Sequence, residues 1–149
     1  MSARPTSTVS TELELYLMVP GGSSLSVAAD VRYDSADPYA VRVAFYTGPE
    51  STQTGEVVEW TFARELLTDG VTRRVGEGDV QVWPAHGAQA QVVCLSLSSP
   101  SGTALFEVPL AQLVEFLSRT YQAVPTGHES RFVDLDAELA LLLWTGAAE

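Results

Sequence analysis

His86, His128 and Cys94 are the side chains here with the most intrinsic chemistry: two imidazoles that can exchange a proton near neutral pH, and one thiol that can act as a nucleophile. Their surroundings give that chemistry little to work with. No Cys-x-x-Cys, His-x-x-x-His or His-Glu-x-x-His spacing occurs, so a zinc ligand set does not assemble from neighbours, and no Gly-x-Ser-x-Gly elbow presents a serine. His86, in a Pro-Ala-His-Gly turn, and His128, in a polar linker, read as solvated loop residues. Cys94 alternates with Val93 and Leu95 and reads as a small packing residue of a strand. Gly76-Glu-Gly78 is followed by Asp79, and two carboxylates beside a glycine turn oppose a phosphate rather than cradle it. Asp134, Asp136 and Glu138 have the residue types of a cation site, but acids in the first turn of a helix are also what its dipole favours. The reading is of no catalytic residue, no cofactor and no metal site.

The elements around these residues are mostly strands. Met1 to Ser10 is rich in Ser, Thr and small residues without periodicity, and is read as a disordered tail (residues 1–10) ahead of a single domain (11–145), with a flexible end (146–149). Leu13, Leu15, Leu17 and Val19 alternate with Glu12, Glu14, Tyr16 and Met18, the period of a half-buried strand. Leu25 to Tyr33, Val41 to Phe45 and Val58 to Phe62 repeat the pattern between turn-forming stretches, which predicts a four-stranded antiparallel meander. Ala63 to Asp69 changes period into a short helix, with Gly70 as its C-cap. Val71 to Val75, Asp79 to Trp83, Gln91 to Ser98 and Thr103 to Val108 read as four further strands. Pro109 then opens a helix whose apolar face is Leu110, Leu113, Val114, Leu117 and Tyr121. The fold class is α+β: two antiparallel four-stranded units, each followed by a helix, plus a C-terminal helix capped by Asp134.

Composition narrows the partners. The 149 residues carry 8 basic side chains, all arginine, against 19 acidic ones, a formal charge of -11. Such a surface repels nucleic-acid phosphates and anionic lipid. Trp60 and Trp83 occupy strand positions from which an RNA-binding sheet stacks bases, but with Arg73-Arg74 as the one basic cluster, core packing is the better reading of both. The longest apolar run, Leu139 to Trp144, is far short of the roughly 20 residues that cross a bilayer, so no direct membrane insertion is expected. One cysteine and no apolar leader at the N-terminus predict a cytoplasmic protein. The joint absence of Lys, Asn and Ile, whose codons are AT-rich, points to a GC-rich genome.

The C-terminal helix has more apolar surface than one domain can cover. Leu135, Leu139 and Leu142 form one stripe, while Leu141 and Trp144 point away from it, which predicts a subunit or partner contact through Leu141 and Trp144. Gly127, after Val124-Pro-Thr, is expected to need positive φ and to set where that helix docks.

Several ordered stretches carry a family likeness. Arg32-Tyr-Asp-Ser-Ala-Asp-Pro-Tyr-Ala-Val41, Val58-Glu-Trp-Thr-Phe-Ala-Arg-Glu-Leu-Leu67, Gly78-Asp-Val-Gln-Val-Trp-Pro84, Val92 to Gly102 and Phe132-Val-Asp-Leu-Asp-Ala-Glu-Leu139 resemble the SsgA-like proteins of actinobacteria, regulators of sporulation-associated cell division. The resemblance covers almost everything after Ser10, and it is nearest to the SsgB type. It implies a whirly-like fold, a homotrimer and a non-enzymatic adaptor that recruits the tubulin-like division protein FtsZ to future septa, where the protein would concentrate. The whirly-like fold also carries the alternative of a single-stranded nucleic-acid binder or transcriptional regulator, which the charge opposes.

Overall fold

Alternation along the first strands is the pleat made visible: Val9, Leu13 and Leu15 are buried while Thr8, Ser10, Glu12, Glu14 and Tyr16 face outward. These residues form β1 (Thr8–Met18), which pairs along its whole length with β2 (Ser24–Asp34). The computed structural model describes residues 7–46, 57–87 and 90–131. β3 (Ala40–Tyr46) and β4 (Val57–Ala63) continue the meander, and α1 (Arg64–Gly70) follows β4 directly. β5 (Val80–His86), β6 (Gln91–Ser99) and β7 (Gly102–Pro109) form a second meander leading into α2 (Leu110–Ala123), and a 3-10 turn spans Glu129–Arg131.

All seven strands belong to one antiparallel sheet, in the order β4-β3-β2-β1-β7-β6-β5. The two meanders meet where Tyr16 and Leu17 of β1 pair with Glu107 and Phe106 of β7. The sheet curls strongly. Phe45 on β3 and Phe106 on β7 stand three strand spacings apart in the sheet order, yet their rings stack with centroids 4.8 Å apart. The concave face buries Leu13, Leu15, Val31, Val43, Val93 and Leu95 around Leu113, Phe116 and Leu117 of α2.

Four expectations change on meeting the structure. The second unit has three strands rather than four, because Val71, Thr72 and Arg73 send their N–H groups back to Thr68 and Asp69 carbonyls and so prolong the end of α1. Val75 alone bridges Val82, through reciprocal bonds of 2.8 and 2.9 Å. The N-terminal strand begins at Thr8, inside the expected tail, because Val9 finds a buried place opposite Tyr33 and the Ser7 N–H bonds Ser35 Oγ at 2.9 Å. Gly70 is the last residue of α1 rather than its cap, and Val71 takes the C-cap position. A Cβ at Gly70 would overlap the Val82 side chain, so this glycine serves close approach of helix to strand. The buried stripe of α2 is Leu113, Phe116, Leu117 and Thr120; Val114 is 43% exposed, since the curled sheet covers a stripe rotated toward Phe116. The C-terminal helix expected from Asp134 lies outside the described residues.

Candidate functional site

The structure places the residues with intrinsic chemistry apart from one another. His86 ends β5 opposite Gln91 instead of occupying a turn, because β5 is an edge strand that tolerates Pro84 and runs on through it. His128 sits in the exposed segment after α2, its N–H bonded to the Pro125 carbonyl at 3.0 Å. Cys94 is buried opposite Trp83 and Glu107, and burial, aided by the Glu107 charge, pushes its thiol pKa up, away from thiolate chemistry. Among the described residues, no group of three His, Cys, Asp or Glu side chains can hold a metal. Trp60 packs partly buried against the core beside Phe62, whereas Trp83 faces the other side of the sheet, under the Arg74 guanidinium at 4.2 Å. Core packing is thus the correct reading for Trp60 and not for Trp83, whose position next to inward-facing Val82 turns it outward.

The most constrained polar residue is one the sequence reading passed over. Arg64 opens α1 and is 1% exposed. Its Nη1 donates to the carbonyls of Thr120 at 3.1 Å and Val124 at 2.9 Å, and its Nη2 donates to Glu129 Oε2 at 2.8 Å. The guanidinium lies 3.9 Å from the Tyr121 ring centroid and 4.9 Å from that of Tyr33. Burial lifts the Tyr33 hydroxyl pKa to about 12, partly offset by the Arg64 charge, and that hydroxyl donates to the Pro38 carbonyl at 3.0 Å. A signal for Arg64 was present: a cation in the first turn of a helix opposes the helix dipole, so it needs a compensating reason. Here the reason is distant in sequence but adjacent in space, in the C-terminal carbonyls of α2.

Glu129 completes this arrangement and connects it to Gly127. Burial acts to raise its carboxyl pKa, but bonds from its own and the Gly127 backbone N–H groups, together with Arg64, outweigh that and hold it below the usual value. Gly127 has φ of +84°, as anticipated, and donates its N–H to Glu129 Oε1 at 2.9 Å. The segment leaving α2 is therefore anchored through a charged contact to α1. Leu141 and Trp144 lie outside the described residues.

The convex face of the first meander is a second polar surface. Strand register lines up Glu59, Ala44, Asp30 and Glu12 in one row across β4, β3, β2 and β1, and Thr61, Arg42, Arg32 and Ser10 in the next. Like charges thus face like across neighbouring strands, an unfavourable arrangement within each row that the opposite charge of the adjacent row offsets. Hydroxyls take up part of the negative charge. Tyr46 donates to Asp30, and Tyr16 and Ser26 donate to Glu14. Those bonds to carboxylates raise the pKa of both tyrosines. The surface offers banded charge for docking.

The family model described as Streptomyces sporulation and cell division protein, SsgA, matches residues 27–129. The chain belongs to the SsgA family. Within it, the sporulation-specific cell division protein SsgB of Frankia casuarinae is 60% identical over 138 residues, covering 93% of both chains. SsgB of Streptomyces coelicolor is 54% identical over 136 residues, covering 91% of this chain and 96% of its own. Two solved family structures superpose closely: SsgB of Streptomyces coelicolor, with a TM-score of 0.81 at 51% identity over 88% of this chain and 99% of that one, and an SsgA-like protein of Thermobifida fusca, with 0.80 at 44% over 93% and 98%. The family's process is cell division during sporulation in actinobacteria, and its names describe division proteins rather than enzymes. No helix among the described residues is long and apolar enough to cross a membrane.

Proposed function

We propose that this chain is a non-enzymatic adaptor of sporulation septation, which recruits or positions the tubulin-like protein FtsZ at septa. The observation that carries the reading is the 60% identity to an SsgB that extends over 93% of both chains, since it matches the whole domain and not one motif. The surface is consistent with it: a curled sheet with banded charge on its convex face can orient a partner. The adaptor acts as a homotrimer of whirly-like subunits in the cytoplasm, and presents several copies of one surface to a polymer, so that individually weak contacts add through multivalency. Leu141 and Trp144 supply the subunit contact, and Gly127 with Glu129 aims the segment that carries them.

Two measurements test this. Polymers of FtsZ from the same organism should carry the protein down on sedimentation, and a tagged copy should gather at sporulation septa; a protein left wholly in the supernatant and spread through the cell refutes the adaptor reading. Analytical ultracentrifugation at micromolar concentration should give a trimer that Leu141→Asp weakens, because a charge enters an apolar contact. A wild-type monomer refutes the oligomer, and normal assembly of Leu141→Asp refutes the contact.

A further inference from the structure

The two edges of the sheet are finished differently. β5 is blunted by Pro84, which removes a ladder donor, and by the Val75 bridge, which occupies the Val82 backbone. β4 has neither device: its sequence, Val57-Val-Glu-Trp-Thr-Phe-Ala63, holds no proline, and among the described residues no strand pairs with its outer side. α1 closes the gap between the edges at the Phe62 end, where Leu67 is buried and Gly70 abuts Val82. At the other end, Val57 and Val58 are 54% and 43% exposed. Beside them Leu17, Phe45, Val58, Trp60, Leu97 and Phe106 line the apolar part of a pocket of about 360 Å³, to which Ser99, Ser101 and Thr103 of the β6–β7 hairpin also contribute.

The geometry points to β4 as a docking edge for an extended segment of a partner protein, in which apolar residues alternate with others and a Lys or Arg falls opposite Glu59. A strand added here gains main-chain hydrogen bonds from β4, and its inward side chains continue the concave face over Val58 and Trp60. Its outward side chains extend the rows of the convex face. The row that it meets at Glu59 already contains Asp30 and Glu12, so a cation is the complementary neighbour and an acid the repelled one. The same charges disfavour a second copy of this chain as the occupant, since it brings another Glu59 and another net charge of -11. This site is argued from the edge strand alone and does not rest on the adaptor reading.

The test uses the full chain and two capped heptapeptides, Val-Thr-Val-Lys-Val-Thr-Val and its twin with Glu at the centre, with binding read by fluorescence anisotropy and location by amide hydrogen exchange. The lysine peptide should bind about tenfold tighter than its twin at low salt, with the preference shrinking as salt is raised. Protection should gather on residues 57–63. Glu59→Lys should reverse the preference, and Val58→Lys should weaken both peptides; both sites are exposed, so both variants should melt near the wild-type temperature. Equal binding of the two peptides, protection elsewhere, or no binding up to about 1 mM, a bare 4 kcal/mol of affinity, overturns the proposal. Protection of β4 that rises with protein concentration alone, without peptide, overturns it in favour of a second copy.

Discussion

Replacing Arg64 by Met should be among the most damaging single changes in this protein, although it leaves the hydrophobic stem in place. The guanidinium is the partner of the buried Val124 carbonyl, and losing a charged donor to a buried acceptor costs about 1–3 kcal/mol. The Thr120 carbonyl suffers less, because the Val124 N–H also donates to it at 2.9 Å. Loss of the cation from between the Tyr121 and Tyr33 rings removes about 1–2 kcal/mol more in so desolvated a place. Glu129, partly open to water and still bonded to Gly127, adds a smaller part. The expected sum is about 3–5 kcal/mol, in the range for breaking a buried pair and a large fraction of the 5–15 kcal/mol that holds a domain together. In urea, with a slope of about 2 kcal/mol/M, the midpoint should fall by about 2 M at unchanged slope. Arg64→Lys should recover only part of this, since one ammonium cannot span the two carbonyls and Glu129 together. A loss under about 1 kcal/mol for Arg64→Met, or full recovery by lysine, would refute the reasoning.

Three further outcomes follow from the same physical arguments. Because the folded Glu129 carboxyl lies below its ordinary value of 4.5, its contribution is present above that value and is lost as pH falls through the folded pKa; Glu129→Gln should flatten the acid limb of stability followed by circular dichroism. Tyr33 is the opposite case, raised from 10 to about 12, so its contribution persists below 10 and vanishes as pH climbs through 12, and Tyr33→Phe should blunt alkaline unfolding at the cost of the bond to the Pro38 carbonyl. Gly70→Ala should cost about 1–3 kcal/mol through overlap with Val82, whereas Gly127→Ala, in open space at positive φ, should cost about 1–2 kcal/mol; thermal melting of the pair separates steric from conformational cost, and a neutral Gly70→Ala would discard the close-approach argument.

The parts of the fold that were legible are those where one local signal decides. The alternation in β1 to β4 reports a face that lies where the pattern puts it, and in α2 the spacing places Leu113 and Leu117 correctly in the core. Val71 to Val75 reads as a strand and is not one, because the helix end immediately before it offers its N–H groups nearer acceptors, the Thr68 and Asp69 carbonyls. Pattern cannot rank those competitors. Val114 and Phe116 both fit an apolar helix, and only the curl of the sheet decides which is covered. Arg64 shows the same limit in the site: its partners Thr120, Val124 and Glu129 come from the far end of the chain, so its burial is a fact of tertiary structure. Gly127, by contrast, announced its positive φ through the Pro-Thr-Gly turn itself.

The short seam between β1 and β7 governs how this chain can fold. Among the described residues every other strand pair joins neighbours in sequence. The seam alone joins Tyr16 and Leu17 to Glu107 and Phe106, and it must wait for the chain to reach β7. During synthesis the first meander is complete long before β7 leaves the ribosome, and until then the Tyr16–Leu17 stretch of β1 is a second open edge. Folding of the intact chain should therefore be limited by closure of the seam, with mutations at Leu17 or Phe106 slowing refolding, while changes within the first meander chiefly speed unfolding.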